Sequence, residues 1–238
     1  MIVSHRHRFI YLRTEKTAST SLTDALKAVL GPEDKVYRSF TGKWVKMIGF
    51  NPGGLKRSFP GVFGLHFHAH AADVRRILGP DVFDSYYKFA VERNPWERQL
   101  SLYTHRIHRK GGKGKTVEQF DQDMRNPLWR LMHYSRLRNW DIYSIGNEVV
   151  ADKVLRYENL RDDLQSVFNH LGIDEAVQLP VLNARHGGDR QHYSTYYSDA
   201  TRDLVGRWYA REIAAFNYTF EDQRRAPVPG GAKNPITH

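Results

Sequence analysis

Residues 9–22, Phe-Ile-Tyr-Leu-Arg-Thr-Glu-Lys-Thr-Ala-Ser-Thr-Ser-Leu, pass from an apolar strand through a loop of small hydroxylated residues around one lysine and into a helix. Such a turn leaves the first helical N–H groups without intrahelical partners and pointing one way, and the helix dipole favours an anion at the same end. Lys16 adds a mobile positive charge. Thr17, Ser19, Thr20 and Ser21 add donors on side chains short enough for the backbone to come close. The segment reads as a phosphate cradle, but not as a Walker A loop. There the lysine closes the pattern G-x-x-x-x-G-K-[ST], whereas Lys16 opens the turn and no glycine precedes it.

The rest of the chain alternates strands with helices. His7 to Leu12 reads as a buried strand and Ser19 to Leu30 as a helix ended by Gly31-Pro32. Residues 38–61, rich in Gly, Pro and Lys, read as a surface excursion. Val62 to Phe67 is expected as a short strand, Ala71 to Leu78 as a helix closed by Gly79-Pro80, and Tyr86 to Glu92 as a second core strand. Asn94 caps the next helix with Pro95 at its first position, and Trp96, Leu100, Tyr103 and Ile107 recur on one face. Thr116 and Gln119 have the spacing of a capping box. Lys153 to Tyr157 reads as a third strand. Leu160 to Leu171 reads as an amphipathic helix stopped by Gly172, and Asp199 to Phe216 as a last helical region. This order predicts an α/β fold with a parallel sheet and a ligand at the carboxyl ends of its strands.

At 238 residues with 40% apolar composition, one domain over residues 1–223 is expected, with a polar, Gly- and Pro-rich tail at 224–238 read as disordered. The absence of cysteine excludes disulfides, thiolate nucleophiles and cysteine-ligated zinc, and fits a reducing compartment. Nothing at the start resembles a signal peptide, and nowhere do about 18 apolar residues run together, so the chain reads as soluble and cytoplasmic. A formal net charge of +10, clustered at 5–8, 106–115 and 224–225, attracts anions of some kind: a nucleotide, an acidic glycan or nucleic acid.

A second segment, Phe89-Ala-Val-Glu-Arg-Asn-Pro-Trp-Glu-Arg-Gln-Leu-Ser-Leu-Tyr103, sharpens the choice. Arg93 ends a strand at a helix N-terminus, and Ser101 follows about two turns on, roughly 10 Å along the axis. A guanidinium forking onto two oxygens and a hydroxyl within its reach suit a second phosphate.

Lys-Thr-x-x-Thr-Ser after one strand and Arg-Asn-Pro-Trp-x-Arg-x-x-Ser-x-Tyr after another resemble the P-loop-type sulfotransferases, closest to their bacterial and carbohydrate members. The likeness continues through Arg156 to Leu164 and Asn183 to Tyr197. It implies a three-layer P-loop-like fold, a central parallel β-sheet flanked by helices, and 3'-phosphoadenosine 5'-phosphosulfate (PAPS) as sulfuryl donor with no metal. Carried over by position, it puts Lys16, Thr17, Ala18, Ser19, Thr20 and Ser21 around the 5'-phosphosulfate, with Arg13 also among the donor-binding residues. Arg93 and Ser101 fall on the 3'-phosphate, and Tyr157 and Arg190 beside the nucleotide, with core packing as the other reading of Tyr157. Lys16 would stabilise the leaving group. The family commonly has two glycines where this chain has Ala18 and Ser19, which strains the loop if either needs positive φ.

In-line attack by a hydroxyl also needs a base. His66, His68 and His70 alternate, so on an extended strand all three would share a face, as a base with its neighbours or as a zinc site. The resemblance points to His68 first and His70 second, with Glu15 or Glu92 as substitutes. The acceptor expected is a carbohydrate or glycolipid hydroxyl, with small phenols or alcohols left open, met by Lys43, Trp44, Arg106, Arg109, Trp129 and Trp140 from the loops at 38–61, 105–140 and 185–197, whose other reading is ordinary surface and core. No nucleic-acid partner is expected; peripheral membrane contact stays open, and the oligomeric state is unreadable. The competing classes are a P-loop kinase or other nucleoside-triphosphate enzyme, and a non-catalytic binder of acidic glycan or nucleic acid.

Overall fold

The computed structural model describes residues 1–37, 65–109, 116–133, 139–176, 179 and 191–224. In chain order the elements are β1 (Ile2–Ser4), β2 (Phe9–Leu12), α1 (Ser19–Lys27), β3 (Lys35–Val36), α2 (Ala71–Leu78), α3 (Pro80–Ser85), β4 (Tyr87–Glu92) and α4 (Pro95–Arg109). They continue as α5 (Phe120–Arg125), α6 (Pro127–His133), α7 (Trp140–Tyr143), β5 (Ser144–Ile145), β6 (Glu148–Val149), β7 (Lys153–Arg156), α8 (Leu160–His170), α9 (Asp199–Trp208) and α10 (Ala210–Phe216). The chain divides into two compact units, residues 1–94 with 136–187, and residues 95–135 with 188–238.

The first unit holds a five-stranded sheet in the order β3-β1-β2-β4-β7. β2, β4 and β7 pair in parallel, as expected, with Leu12 opposite Ala90 and Glu92 opposite Arg156. β1 is antiparallel to both β2 and β3, so the sheet is mostly rather than wholly parallel. Phe9, Tyr11, Phe89, Val91 and Leu155 form one core with Leu22 and Leu26 of α1 and Leu160, Leu164, Val167 and Phe168 of α8. Ile10, Leu12 and Ala90, on the opposite face by strand alternation, are buried too. A sheet buried on both faces reads as continuous apolar runs, which is why β2 and β4 stand out in the sequence.

Several expectations change here. α1 stops at Lys27, and the turn after it tightens through bonds from Val29 N–H to Leu26 O and Leu30 N–H to Lys27 O. α2 spans Ala71–Leu78 and closes at Gly79 with φ 85°, as expected, and Pro80 in addition opens the short helix α3. The described part of the expected strand at 62–67 is no strand. Residues 65–70 turn back on themselves, with Ala69 N–H bonded to His66 O at 3.2 Å. α8 ends, as expected, at Gly172 with φ 65°.

The second unit is helical around an aromatic core of Trp96, Leu100, Tyr103, Phe120, Met124, Trp129, Tyr193, Tyr197, Val205, Tyr209 and Tyr218. Its tyrosine hydroxyls find internal partners, Tyr103 on Asp123, Tyr197 on Trp96 O and Tyr209 on Gln99. The Thr116–Gln119 capping box forms, opening a 3-10 turn that leads into α5. The expected helix over 199–216 is two helices. Tyr209 breaks it at φ −117° to bring its ring under Arg98, 4.4 Å from the guanidinium. Arg224, where the composition changes, is tied to Asp199 at 2.7 Å, and residues 225–238 lie outside those described.

Arg98 is fully buried and bridges to the buried Glu212 at 3.5 Å. Removing one partner of a buried ion pair strands the other charge. Glu212→Ala is therefore expected to destabilise the protein by about 3–5 kcal/mol in urea titration, while the double change Arg98→Met with Glu212→Leu recovers most of that loss.

Candidate active site

The loop from Arg13 to Ala18 joins β2 to α1 at the carboxyl edge of the parallel strands. Lys16 and Ala18 have left-handed backbones, φ 63° and φ 54°, and Thr17 between them does not. Left-handed residues in a tight turn ahead of a helix N-terminus are the kind of backbone from which anion-binding nests are built. Ser19 is already the first helical residue, so of the two positions where glycine was at issue only Ala18 lies in glycine territory. Each left-handed non-glycine residue costs on the order of 1 kcal/mol and persists only where its surroundings over-determine it.

Those surroundings are visible. The buried Thr14 hydroxyl donates to Val91 O at 2.5 Å; with its one hydrogen used, it accepts from the Thr17 hydroxyl at 2.8 Å. Thr17 is thereby committed to the loop's interior. The fully buried Asn139 brackets one residue from both sides: Oδ1 accepts from Glu15 N–H and Nδ2 donates to Glu15 O, both at 3.0 Å. Arg13 donates from Nη2 to Thr20 Oγ1 at 3.1 Å and lies over the Phe67 ring. Ser19 is buried and Ser21 half-buried on the first turn of α1.

β4 ends in Glu92, a buried carboxylate that accepts from Arg93 N–H and from the Tyr143 hydroxyl, each at 2.9 Å. Both its oxygens are engaged inside the fold, which argues against Glu92 as the base. Parallel register makes Arg93 and Tyr157 leave the sheet side by side, and the guanidinium sits 4.1 Å from the Tyr157 ring centroid. The structure thus brings Arg93 and Tyr157 together at the edge that carries the Lys16 loop.

The segment 65–70 turns and is not the extended strand on which the three histidines would share a face, a correction to that expectation. His66 Nδ1 accepts from His68 N–H at 3.1 Å, and His70 occupies the N-cap position of α2. Among the described residues no group of three or more His, Cys, Asp or Glu gathers as a metal site would require. His68 Nδ1 lies 2.7 Å from Arg13 O. A carbonyl only accepts, so Nδ1 carries the hydrogen and Nε2 is left as the basic nitrogen. Burial, reinforced by the charge of Arg13, holds the His68 pKa well below the ordinary histidine value.

Ser101 is half-buried on α4 in the second unit, so its assignment rests on the resemblance alone. Arg190, Lys43 and Trp44 lie outside the described residues, as does the side chain of Arg109; Arg106 is half-buried on α4. Trp129 and Trp140, expected at an acceptor, are buried instead. Trp129 packs on Tyr103, and Trp140 donates to Gly146 O at 3.1 Å. Asn139 and Tyr143 are the residues that sequence reasoning missed. An asparagine before a helix reads as a cap, and nothing local says that its amide crosses to residue 15.

An α/β protein with a left-handed loop leading into a helix N-terminus at the carboxyl edge of its mostly parallel sheet is the class these features define. The model of the sulfotransferase family matches residues 1–219, across both units, and the chain belongs to that family. Its general chemistry is transfer of a sulfuryl group, with a hydroxyl acceptor implied by the family. The chain is 25% identical over 115 residues to an uncharacterized protein of Archaeoglobus fulgidus, covering 47% of this chain and 88% of that protein. The crystal structure of a sulfotransferase from Alicyclobacillus acidocaldarius is similar over 90% of this chain and 96% of its own, at 16% identity and TM-score 0.45.

Two outcomes are expected. Ala18→Gly removes the side chain from a left-handed position and should raise stability, by no more than about 1 kcal/mol because glycine also loosens the unfolded chain; thermal melting reads it. For His68, the folded pKa is depressed, so the unfolded state binds more protons below pH 6.5. Its contribution is complete above that pH and is lost as the pH falls toward the folded value. His68→Asn keeps an amide donor for Arg13 O and cannot titrate. Between pH 6.5 and 5 wild type should lose stability relative to this variant, by at most about 1.4 kcal/mol per pH unit in urea melts.

Proposed function

We propose that the protein transfers the sulfuryl group of PAPS to a hydroxyl of a carbohydrate or glycolipid acceptor by in-line displacement. The observation that carries this reading is the alternating-φ loop around Lys16, at the same sheet edge as the Arg93–Tyr157 pair. A nest with a lysine suits a phosphosulfate, and a buried arginine beside an aromatic ring suits the 3'-phosphate that separates this donor from ATP.

In this reading Lys16 and the N–H groups of residues 17–21 hold the 5'-phosphosulfate, Arg93 holds the 3'-phosphate, and Tyr157 borders the nucleotide. The acceptor oxygen attacks sulfur while the bond from sulfur to the 5'-phosphate oxygen breaks. That oxygen takes the electron pair, and Lys16 stabilises the charge where it develops. The acceptor's proton passes to Nε2 of His68, whose tautomer suits it, with His70 as the second candidate. The glycan preference is supported by the net charge of +10, which favours acidic sugars or the surface of an anionic lipid layer. Among the described residues no helix is long and apolar enough to cross a membrane. The cysteine-free composition supports work in the cytoplasm.

Thermal-shift measurements with nucleotides test the donor. Adenosine 3',5'-bisphosphate at a hundred times its dissociation constant should stabilise the fold by about 2.7 kcal/mol. ATP with Mg²⁺ should do little. Arg93→Ala should weaken the bisphosphate about 10- to 100-fold, the size of a lost charge-assisted hydrogen bond. Equal stabilisation by ATP with Mg²⁺ would overturn the donor assignment in favour of a nucleoside-triphosphate enzyme. Labelled PAPS incubated with a panel of glycans, glycolipids and small alcohols tests the acceptor class, and transfer to alcohols alone would refute the glycan preference.

A further inference from the structure

Asn139 and Tyr143 bracket the four-residue helix α7, and each reaches a different half of the anion site. Asn139, with no exposed surface, grips both backbone groups of Glu15, the residue before the first left-handed position of the nest. Its amide orientation is forced, because exchanging oxygen and nitrogen would set donor against donor and acceptor against acceptor. Tyr143, also without exposed surface, donates to Glu92, whose other oxygen receives the N–H of Arg93. The ends of β2 and β4 carry the two cations expected to meet the donor, and one short helix holds both ends. α7 caps nothing with its asparagine, so its sequence serves the site and not its own termination.

From this juxtaposition we infer that Asn139 and Tyr143 are positioning residues for sulfuryl transfer: Asn139 keeps the nest formed in the absence of an anion, and Tyr143, through Glu92, fixes where Arg93 leaves the sheet. The inference rests on the proposed donor for the ligand and, in its Tyr143 arm, for Arg93 as the residue that meets the 3'-phosphate. The Asn139 arm itself concerns the shape of the loop. A cradle that is already formed avoids the ordering entropy that a flexible loop would lose on binding, so the effect belongs in affinity and in kcat, over and above folded stability.

Hydrogen exchange without ligand and calorimetric titration with adenosine 3',5'-bisphosphate and with inorganic pyrophosphate, on the full chain, test it. Asn139→Ala should speed exchange in peptides covering residues 13–22 while sparing those of α8, and weaken both ligands about tenfold. Asn139→Asp keeps an acceptor for Glu15 N–H but sets a carboxylate against Glu15 O and beside an anion site, so it should bind both ligands more weakly than Asn139→Ala. A merely structural asparagine predicts the reverse order, since aspartate preserves more of the packing. Tyr143→Phe keeps the ring and should weaken the bisphosphate several-fold with pyrophosphate nearly unchanged, because only the former reaches Arg93; being conservative, it tests the second arm if the Asn139 variants do not fold. Exchange at 13–22 and both affinities within twofold of wild type in Asn139→Ala, or an unchanged bisphosphate affinity in Tyr143→Phe, would overturn the brace. If wild type binds pyrophosphate but not the bisphosphate, the donor assignment fails, and the exchange and pyrophosphate arms still decide the brace.

Discussion

The site depends on a buried hydroxyl bonded to a buried carbonyl, Thr14 to Val91, which fastens the loop after β2 to the neighbouring strand β4. Around it stand the Thr17 hydroxyl and the two bonds from Asn139. Four internal hydrogen bonds at about 1 kcal/mol net each match the cost of two left-handed non-glycine residues at about 1–2 kcal/mol each. These bonds are what the fold sets against an unfavourable backbone in the loop. A glycine-rich loop reaches the same conformation with less strain but with more freedom in the unfolded chain. This chain uses Ala18 and compensates with side chains from elsewhere in the fold.

Two arginines five residues apart show how one sequence motif divides its labour. Arg93 stands at the end of β4 with its guanidinium on Tyr157, and it is a ligand candidate. Arg98 is buried in the aromatic core of the second unit, between Glu212 and Tyr209, where it serves packing. Both look alike in the string Arg-Asn-Pro-Trp-Glu-Arg. What separates them is the environment each element delivers: a strand end opens onto a sheet edge, while the inner face of α4 does not.

Legibility in the sequence follows the range of the signal. β2, β4, the start of α4 at Pro95, the Thr116–Gln119 capping box and the Gly172 stop are written in neighbouring residues, and the structure bears them out. β1 was missed because three residues, Ile2–Ser4, are too few for a pattern, and its reversed direction is a property of pairing and not of composition. The histidines misled because alternation places side chains on one face only if the backbone is extended, and here residues 65–70 turn. Trp129 and Trp140 misled for the opposite reason, since an aromatic side chain carries the same letters in a core as at a sugar-binding surface. Asn139 was unreadable in principle: its partner lies 124 residues away, and only the fold brings them together.

Arg13 shows why the nest and the proposed base belong to one device. Its side chain reaches forward to Thr20 on the first turn of α1, while its carbonyl fixes the tautomer of His68. A histidine whose pKa is held low is neutral, and so able to accept a proton, throughout the physiological range, yet its affinity for that proton is small. The two effects oppose each other, and a base of this kind works only where the reaction itself makes the donor hydroxyl acidic. Attack on a sulfuryl group does that, because the attacking oxygen gains positive charge as its bond to sulfur forms. In the proposed reaction His68 would need only to take a proton that is already leaving. The requirement on it becomes one of placement more than of basicity, and the same main-chain carbonyl that begins the nest supplies the placement.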